Sequence, residues 1–119
     1  MNRTEICQRI EATGIVPIVR APSAELAATV ARAILAAGID VLEITTSVPN
    51  ATDLLRQLRK EVGTDVVLGA GTVLDAATAK ACIEAGAEFI VAPGLDVRRF
   101  APPTRWTSRA CPARSRRPK

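Results

Sequence analysis

Glu43 stands inside an apolar run, flanked by Leu42 and Ile44. A carboxylate at such a position is costly to bury unless it is paired or protonated. Two roles meet that condition. Glu43 is either a structural glutamate bonded to neighbouring strand ends or to Arg20, or a general acid/base whose pKa is raised by burial. A second candidate is the run Gly69-Ala70-Gly71-Thr72. Val73-Leu74 follows it, so the third glycine of a dinucleotide-binding loop is missing. The run reads as a tight strand-to-helix turn in which Gly71 lets another group approach closely. Thr72 then either shapes that turn or orients a substrate oxygen. Pro93-Gly94 reads as a further turn, and Arg20 closes the first apolar run.

The residue types that are missing narrow the chemistry. The sequence holds no histidine, which removes Ser-His-Asp triads and His-rich metal sites. Cys7, Cys82 and Cys111 are odd in number and widely spaced, with neither a disulfide framework nor a zinc pattern. A reduced, cytoplasmic setting with no metal is the expectation. Only three lysines occur. Lys60 and Lys80 fall within helical segments, Lys80 beside Glu84 on the solvent side, and Lys119 is the last residue. None falls at a strand end, so none reads as a buried Schiff-base amine.

The elements that must position these groups form an internal repeat. Ile15–Arg20, Val41–Thr46, Val66–Gly71 and Phe89–Gly94 are short apolar runs, each closely preceded by a glycine, at Gly14, Gly38, Gly63 and Gly86. Successive glycines are 24, 25 and 23 residues apart. Near-continuous β-branched runs of this length predict strands buried on both faces of a parallel sheet. Helices fill the gaps. Ser23 is a predicted N-cap for a helix with Leu26, Val30 and Ile34 as its apolar stripe, ending at Gly38. Asn50 is the cap expected before Leu54, Leu55, Leu58 and Val62; Asp75 precedes Ala79, Cys82 and Ile83. An earlier helix over about Arg3–Thr13 buries Ile6 and Ile10. The order α, then β-α-β-α-β-α-β, implies α/β architecture with right-handed connections. A doubly wound sheet and part of a (βα)8 barrel both fit this periodicity. In either, ligands gather at the carboxyl ends of the strands.

Length and composition agree with one α/β domain: 119 residues, 48% apolar and 3% aromatic. No apolar run approaches the roughly 20 residues of a membrane span, and the opening stretch is polar, so no signal peptide is expected. The net charge of +4 is unevenly spread. Residues 101–119 carry Arg105, Arg109, Arg114, Arg116, Arg117 and Lys119 with no acid, whereas residues 1–100 hold 10 basic and 12 acidic side chains. The tail is also rich in proline, has the only tryptophan, Trp106, and lacks periodicity. The expectation is a body over 1–100 and a disordered, Pro/Arg-rich tail over 101–119, from an out-of-frame reading or a divergent end. A tail of this charge could grip phosphate backbones. Irregular spacing and the prolines argue against a basic helix, so nucleic acid is not the expected partner.

The runs IVPIVR (Ile15–Arg20), LEITTSVPNA (Leu42–Ala51), GAGTV (Gly69–Val73) and EAGAEFIVAPGL (Glu84–Leu95) together resemble the bacterial 2-keto-3-deoxy-6-phosphogluconate (KDPG)/4-hydroxy-2-oxoglutarate (KHG) aldolases. The resemblance covers about residues 5–99. It implies the N-terminal half of a TIM (βα)8 barrel, four parallel βα units. It further implies class I, Schiff-base cleavage of the phosphorylated keto-deoxy acid to pyruvate and glyceraldehyde 3-phosphate, without cofactor or metal. Glu43 matches the family's proton-shuttling glutamate. Thr72 matches a substrate contact, Pro93 a pocket-lining proline, and Arg20 an arginine of some members. Where certain members carry a substrate-binding arginine, this chain has Ser47. The family's Schiff-base lysine lies on a sixth strand and its phosphate site on the seventh and eighth, so neither is expected in this chain, and the chain alone is expected to be inactive. For an intact member the resemblance implies a homotrimer.

Overall fold

A computed structural model describes residues 2–94; the expected basic tail, with Trp106, Cys111 and Lys119, lies outside the described residues. The element order is α1 (Arg3–Thr13), β1 (Ile18–Val19), α2 (Ala24–Ala36), β2 (Val41–Thr45), α3 (Ala51–Val62), β3 (Val67–Gly71), α4 (Ala76–Glu84) and β4 (Phe89–Ile90). The strands form one sheet in the order β1-β2-β3-β4, with every pairing parallel. This is the expected alternation. β1 and β4 are only two residues long, shorter than the apolar runs that announce them. Among the described residues each pairs along one edge only, so fewer ladder bonds hold its ends.

Local chemistry sets the helix starts. Asn2 and Glu5 form a reciprocal capping box on α1. Ser23 accepts from the Leu26 N–H, and Asp75 from the Thr78 N–H at 2.7 Å, as expected of caps. Asn50 departs from the expectation. It precedes α3 but makes no side-chain cap bond, because its backbone is left-handed, with φ 57°. Asparagine tolerates that conformation better than most residues, so here it serves the turn rather than the helix end.

Side chains alternate across the sheet. On the helix side, Leu42, Ile44, Leu68, Ala70 and Ile90 pack with Leu54, Leu55 and Leu58 of α3 and with Ala79 and Cys82 of α4. On the opposite face Val41, Val67 and Phe89 pack with Ile6 of α1, so α1 covers that face at its N-terminal end. The apolar stripe expected on α2 is corrected. Ala27, Ala28 and Ala31 are buried, whereas Leu26 and Val30 are 47% and 39% exposed and Ile34 only packs at the margin. A helical period fits either set. Small alanines let the helix approach the sheet closely, and the bulkier residues are turned outward.

Polar clamps gather at the N-terminal ends of the strands. Arg9 pairs with Asp40 and also donates to the Asp65 carbonyl, while the Thr13 hydroxyl donates to Asp40 at 3.2 Å. The Arg9 guanidinium, hydrogen-bonded to Asp40, holds that carboxyl below its usual range. Arg59 reaches further. It donates to the carbonyls of Gly86 (2.8 and 3.2 Å), Gly63 (2.8 Å) and Val66 (2.9 Å), and to the Glu88 carboxylate (2.6 Å). Its stem lies against Gly86, whose φ is 117° and where a Cβ would stand 2.9 Å from Arg59 Cγ. One side chain thus joins the end of α3 to the loops before β3 and β4.

Arg59→Ala is expected to lower stability by about 2–4 kcal/mol, since it removes charge-assisted bonds and leaves carbonyls and a partly buried carboxylate unpaired. Arg59→Lys is expected to recover only part of that loss, because an ammonium lacks the guanidinium fork. Urea unfolding monitored by circular dichroism checks both; an alanine variant with an unchanged midpoint contradicts the clamp.

Candidate active site

The parallel register sets Ile18 beside Glu43, Glu43 beside Gly69, and Gly69 beside Phe89. Register partners share a face, so these four residues form one row across the sheet, on the face opposite α2, α3 and α4. Along β3, positions 69 and 71 are the two that point to this face beyond Val67, and both are glycine. A Cβ at Gly69 would lie 2.1 Å from the Phe89 ring. A Cβ at Gly71 would lie 1.6 Å from Glu43 Oε1 and 2.5 Å from its Cδ. Both distances are far inside van der Waals contact. The Phe89 ring therefore occupies the space above Gly69, and the Glu43 carboxylate leans along the strand to occupy the space above Gly71.

Glu43 is buried, with 5% of its surface exposed. Among the described residues no group donates a hydrogen bond to its carboxylate, whose oxygens are not fully sealed from solvent, and Arg20 forms no ion pair with it. The strand-end bonds and Arg20 pairing of the structural reading are thus not made. Burial raises the Glu43 pKa above the ordinary glutamate value; the positive charge of Arg20, itself exposed, opposes that rise. A carboxyl so placed is a proton donor and acceptor with its oxygens uncommitted.

Thr72 lies immediately beyond β3, exposed, in the left-handed region at φ 57°. For a β-branched residue this is a strained conformation. The Thr46 hydroxyl donates to the Thr72 carbonyl at 2.8 Å, and the Thr46 N–H donates to the Gly71 carbonyl at 2.9 Å. The hydroxyls of Thr45 and Ser47 are 2.8 Å apart, and that of Thr45 also faces the Val19 carbonyl at 3.4 Å. Pro93 falls in an exposed bend beyond β4, as the turn reading expects. Arg20, Thr72 and Pro93 follow the C-terminal ends of β1, β3 and β4, and Glu43, the middle residue of β2, leans its carboxylate toward the same end, over Gly71. Glu43 is joined to Gly71 by contact and to Arg20 by charge; no described bond joins Pro93 to either. The bonds of Thr46 and the pairing of Phe89 with Gly69 went unread in the sequence. The only sign of the former was the run of three hydroxyls, Thr45-Thr46-Ser47.

Two other features bear on the chemistry. Lys60 is exposed on α3, and Lys80 is 68% exposed with its amine 3.9 Å from Glu84. Neither lysine belongs to a strand or strand end. A groove of about 400 Å³ between α2 and α3 is lined by Ala28, Arg32, Asp53 and Gln57 among others, and none of the four candidates contributes to it. Among the described residues no helix is long and apolar enough to cross a membrane.

The raised pKa of Glu43 fixes the sign of a pH effect. Its contribution to stability is full while the carboxyl is protonated in both states and is lost as pH rises through the folded-state value. Glu43→Gln is therefore expected to be more stable than the parent near neutral pH, and its advantage is expected to vanish in acid. Urea midpoints at the two pH values check this; a variant less stable at neutral pH contradicts it. Gly71→Ala is expected to cost about 1–3 kcal/mol through overpacking. In a Glu43→Ala background most of that cost should disappear, a coupling of about 0.5–3 kcal/mol in a double-mutant cycle.

Comparison with known proteins follows the same lines. The family model described as Aldolase, KDPG and KHG aldolase, matches residues 6–101. The 2-dehydro-3-deoxy-phosphogluconate aldolase of Treponema pallidum is 37% identical over 96 residues, 81% of this chain and 45% of that protein. The structure of the Zymomonas mobilis ZM4 KDPG aldolase with 3-phosphoglycerate superposes with a TM-score of 0.69 at 34% identity, covering 82% of this chain and 46% of that one. The Legionella pneumophila KDPG aldolase, with pyruvate captured at low pH as a covalent carbinolamine, superposes with a TM-score of 0.63 at 34% identity, over 71% and 40% of the two chains. The chain thus spans less than half the length of each. Its four parallel strands and their helices match the N-terminal half of the α/β barrel in those structures. With a family match over most of its length, and with strands that carry the expected motifs in the expected order, the chain belongs to the KDPG/KHG aldolase family.

Proposed function

We propose that this chain supplies the general acid/base half of a class I aldolase site for a phosphorylated 2-keto-3-deoxy sugar acid. The observation that carries the reading is Glu43: buried, unbonded by described residues, seated over Gly71, with its pKa raised by burial. The carbinolamine captured in the Legionella relative supports the chemistry, because each stage of such a mechanism moves protons at oxygen. An amine adds to the ketone to give a carbinolamine, and loss of water gives the imine. Deprotonation of the substrate hydroxyl then lets the carbon–carbon bond break, releasing an aldehyde and leaving pyruvate as its enamine. A carboxyl with a pKa moved toward neutrality suits both halves of this traffic, directly or through a water molecule. On this reading Thr72 orients a substrate oxygen, Pro93 lines the pocket wall, and Arg20 offers a cation to an anionic substrate. The products are pyruvate and glyceraldehyde 3-phosphate when the substrate is 2-keto-3-deoxy-6-phosphogluconate.

The amine is the missing partner among the described residues. Lys60 and Lys80 are exposed on α3 and α4, which pack on the sheet face opposite the Glu43 row. The purified 119-residue chain is therefore expected to show no turnover above background in a pyruvate assay coupled to lactate dehydrogenase. Combined with the remaining barrel strands of an active relative, it is expected to release pyruvate. Borohydride should then trap pyruvate on a lysine of the added strands, and Glu43→Gln should lower turnover by about 10²–10⁴-fold. An adduct on Lys60 or Lys80, or an unchanged rate in the Glu43→Gln complex, sinks the assignment.

A further inference from the structure

The strain at Thr72 needs a cause. A β-branched residue in the left-handed region is strained and persists only where its surroundings over-determine it. The bonds that hold this turn come from both neighbouring strands. From the β4 side, the Val73 N–H donates to the Val91 carbonyl at 3.2 Å. From the β2 side, Thr46 makes two bonds to consecutive carbonyls. Its N–H meets the Gly71 carbonyl at 2.9 Å and its hydroxyl meets the Thr72 carbonyl at 2.8 Å. The first fixes the peptide plane that precedes Thr72 and the second the plane that follows it, and only the second depends on the side chain.

We infer that Thr46 is a positioning residue, whose hydroxyl holds the Thr72 backbone left-handed and so presents the Thr72 side chain at the mouth of the site. The inference deepens the aldolase reading and rests on it for the purpose of Thr72. Thr46 stands three residues after Glu43 on the same strand run, and Gly71 precedes Thr72 on the next. The Thr46 tether therefore ties the segment that carries the acid/base to the segment that carries the substrate contact. If Thr72 relaxed to an extended φ, its hydroxyl would swing to another direction while Glu43 stayed in place over Gly71. The tether thus acts on substrate orientation and leaves the proton chemistry of Glu43 alone.

The test uses the isotope-labelled 119-residue chain as parent, Thr46→Val and Thr46→Ser. Valine keeps the shape without the hydroxyl; serine keeps the hydroxyl. The Thr72 Cα chemical shift and its amide-to-Hα coupling report the backbone region. The expected result is loss of the left-handed signature in the valine variant and its retention in the serine variant. A valine variant that keeps the left-handed signature overturns the inference. Unfolding supplies a measurement that needs no assigned spectrum. In a Thr72→Gly background, where glycine adopts this φ without strain, Thr46→Val should cost less stability than in the parent. Equal costs in the two backgrounds also overturn the inference. Titration with pyruvate separates this result from the aldolase reading. When the chain is combined with the remaining barrel strands of an active relative, Thr72 resonances that ignore pyruvate count against the reading, whereas the tether is judged on the backbone signature alone. In that complex Thr46→Val should weaken pyruvate by roughly three- to tenfold, the worth of one hydrogen bond, with serine restoring it.

Discussion

Two positions on β3 without side chains govern the geometry of the whole face. Gly69 and Gly71 leave a shallow trough, and the Phe89 ring and the Glu43 carboxylate lie in it. A methyl group at either position would collide with these groups, because protein interiors are packed too tightly to absorb an added atom. The Phe89 ring, seated over Gly69, in turn joins Val41, Val67 and Ile6 in the small cluster that fastens α1 to the sheet. The same trough that seats a catalytic candidate also seats the cover of the opposite end. Packing and chemistry are therefore two consequences of one pair of glycines.

The two ends of the sheet are built differently. At the N-terminal end, Arg9 and Arg59 bind carbonyls and carboxylates from several loops. At the C-terminal end lie a buried carboxyl to which no described residue donates a hydrogen bond and a threonine in a strained backbone region. The charged clamps gather where the chain enters the strands, and the candidate residues where it leaves them. In parallel α/β folds the residues at the carboxyl ends of strands carry chemistry, and those at the other end carry the fold.

The electrostatics of Glu43 follow from the same arrangement. Its neighbours in the row are Ile18, Gly69 and Phe89, which offer it no hydrogen bond, so burial dominates and Arg20 only tempers it. A bonded carboxylate would have its pKa held down and its lone pairs occupied. With no hydrogen bond from a described residue to offset burial, the protonated form of Glu43 is favoured relative to a free glutamate.

Much of this was legible in the order of residues. Glycine spacing, apolar runs and the caps Ser23 and Asp75 marked the four βα units, because each depends on chemistry within a few residues. Glu43 was conspicuous because a lone acid among Leu42 and Ile44 is costly wherever the strand lies. Other features depended on distant partners. The burial of Ala27 and Ala31 in place of Leu26 and Val30 was decided by how closely α2 could approach the sheet, which a helical period leaves open. The left-handed Asn50 and Thr72 were decided by turns and tethers set by neighbouring strands. The sequence by itself determined which residues were candidates and in what order the elements came. Only the tertiary structure decided that Gly71 lies under the Glu43 carboxylate and that Thr46 grips Thr72, because register between strands brings together atoms that sequence separation keeps apart.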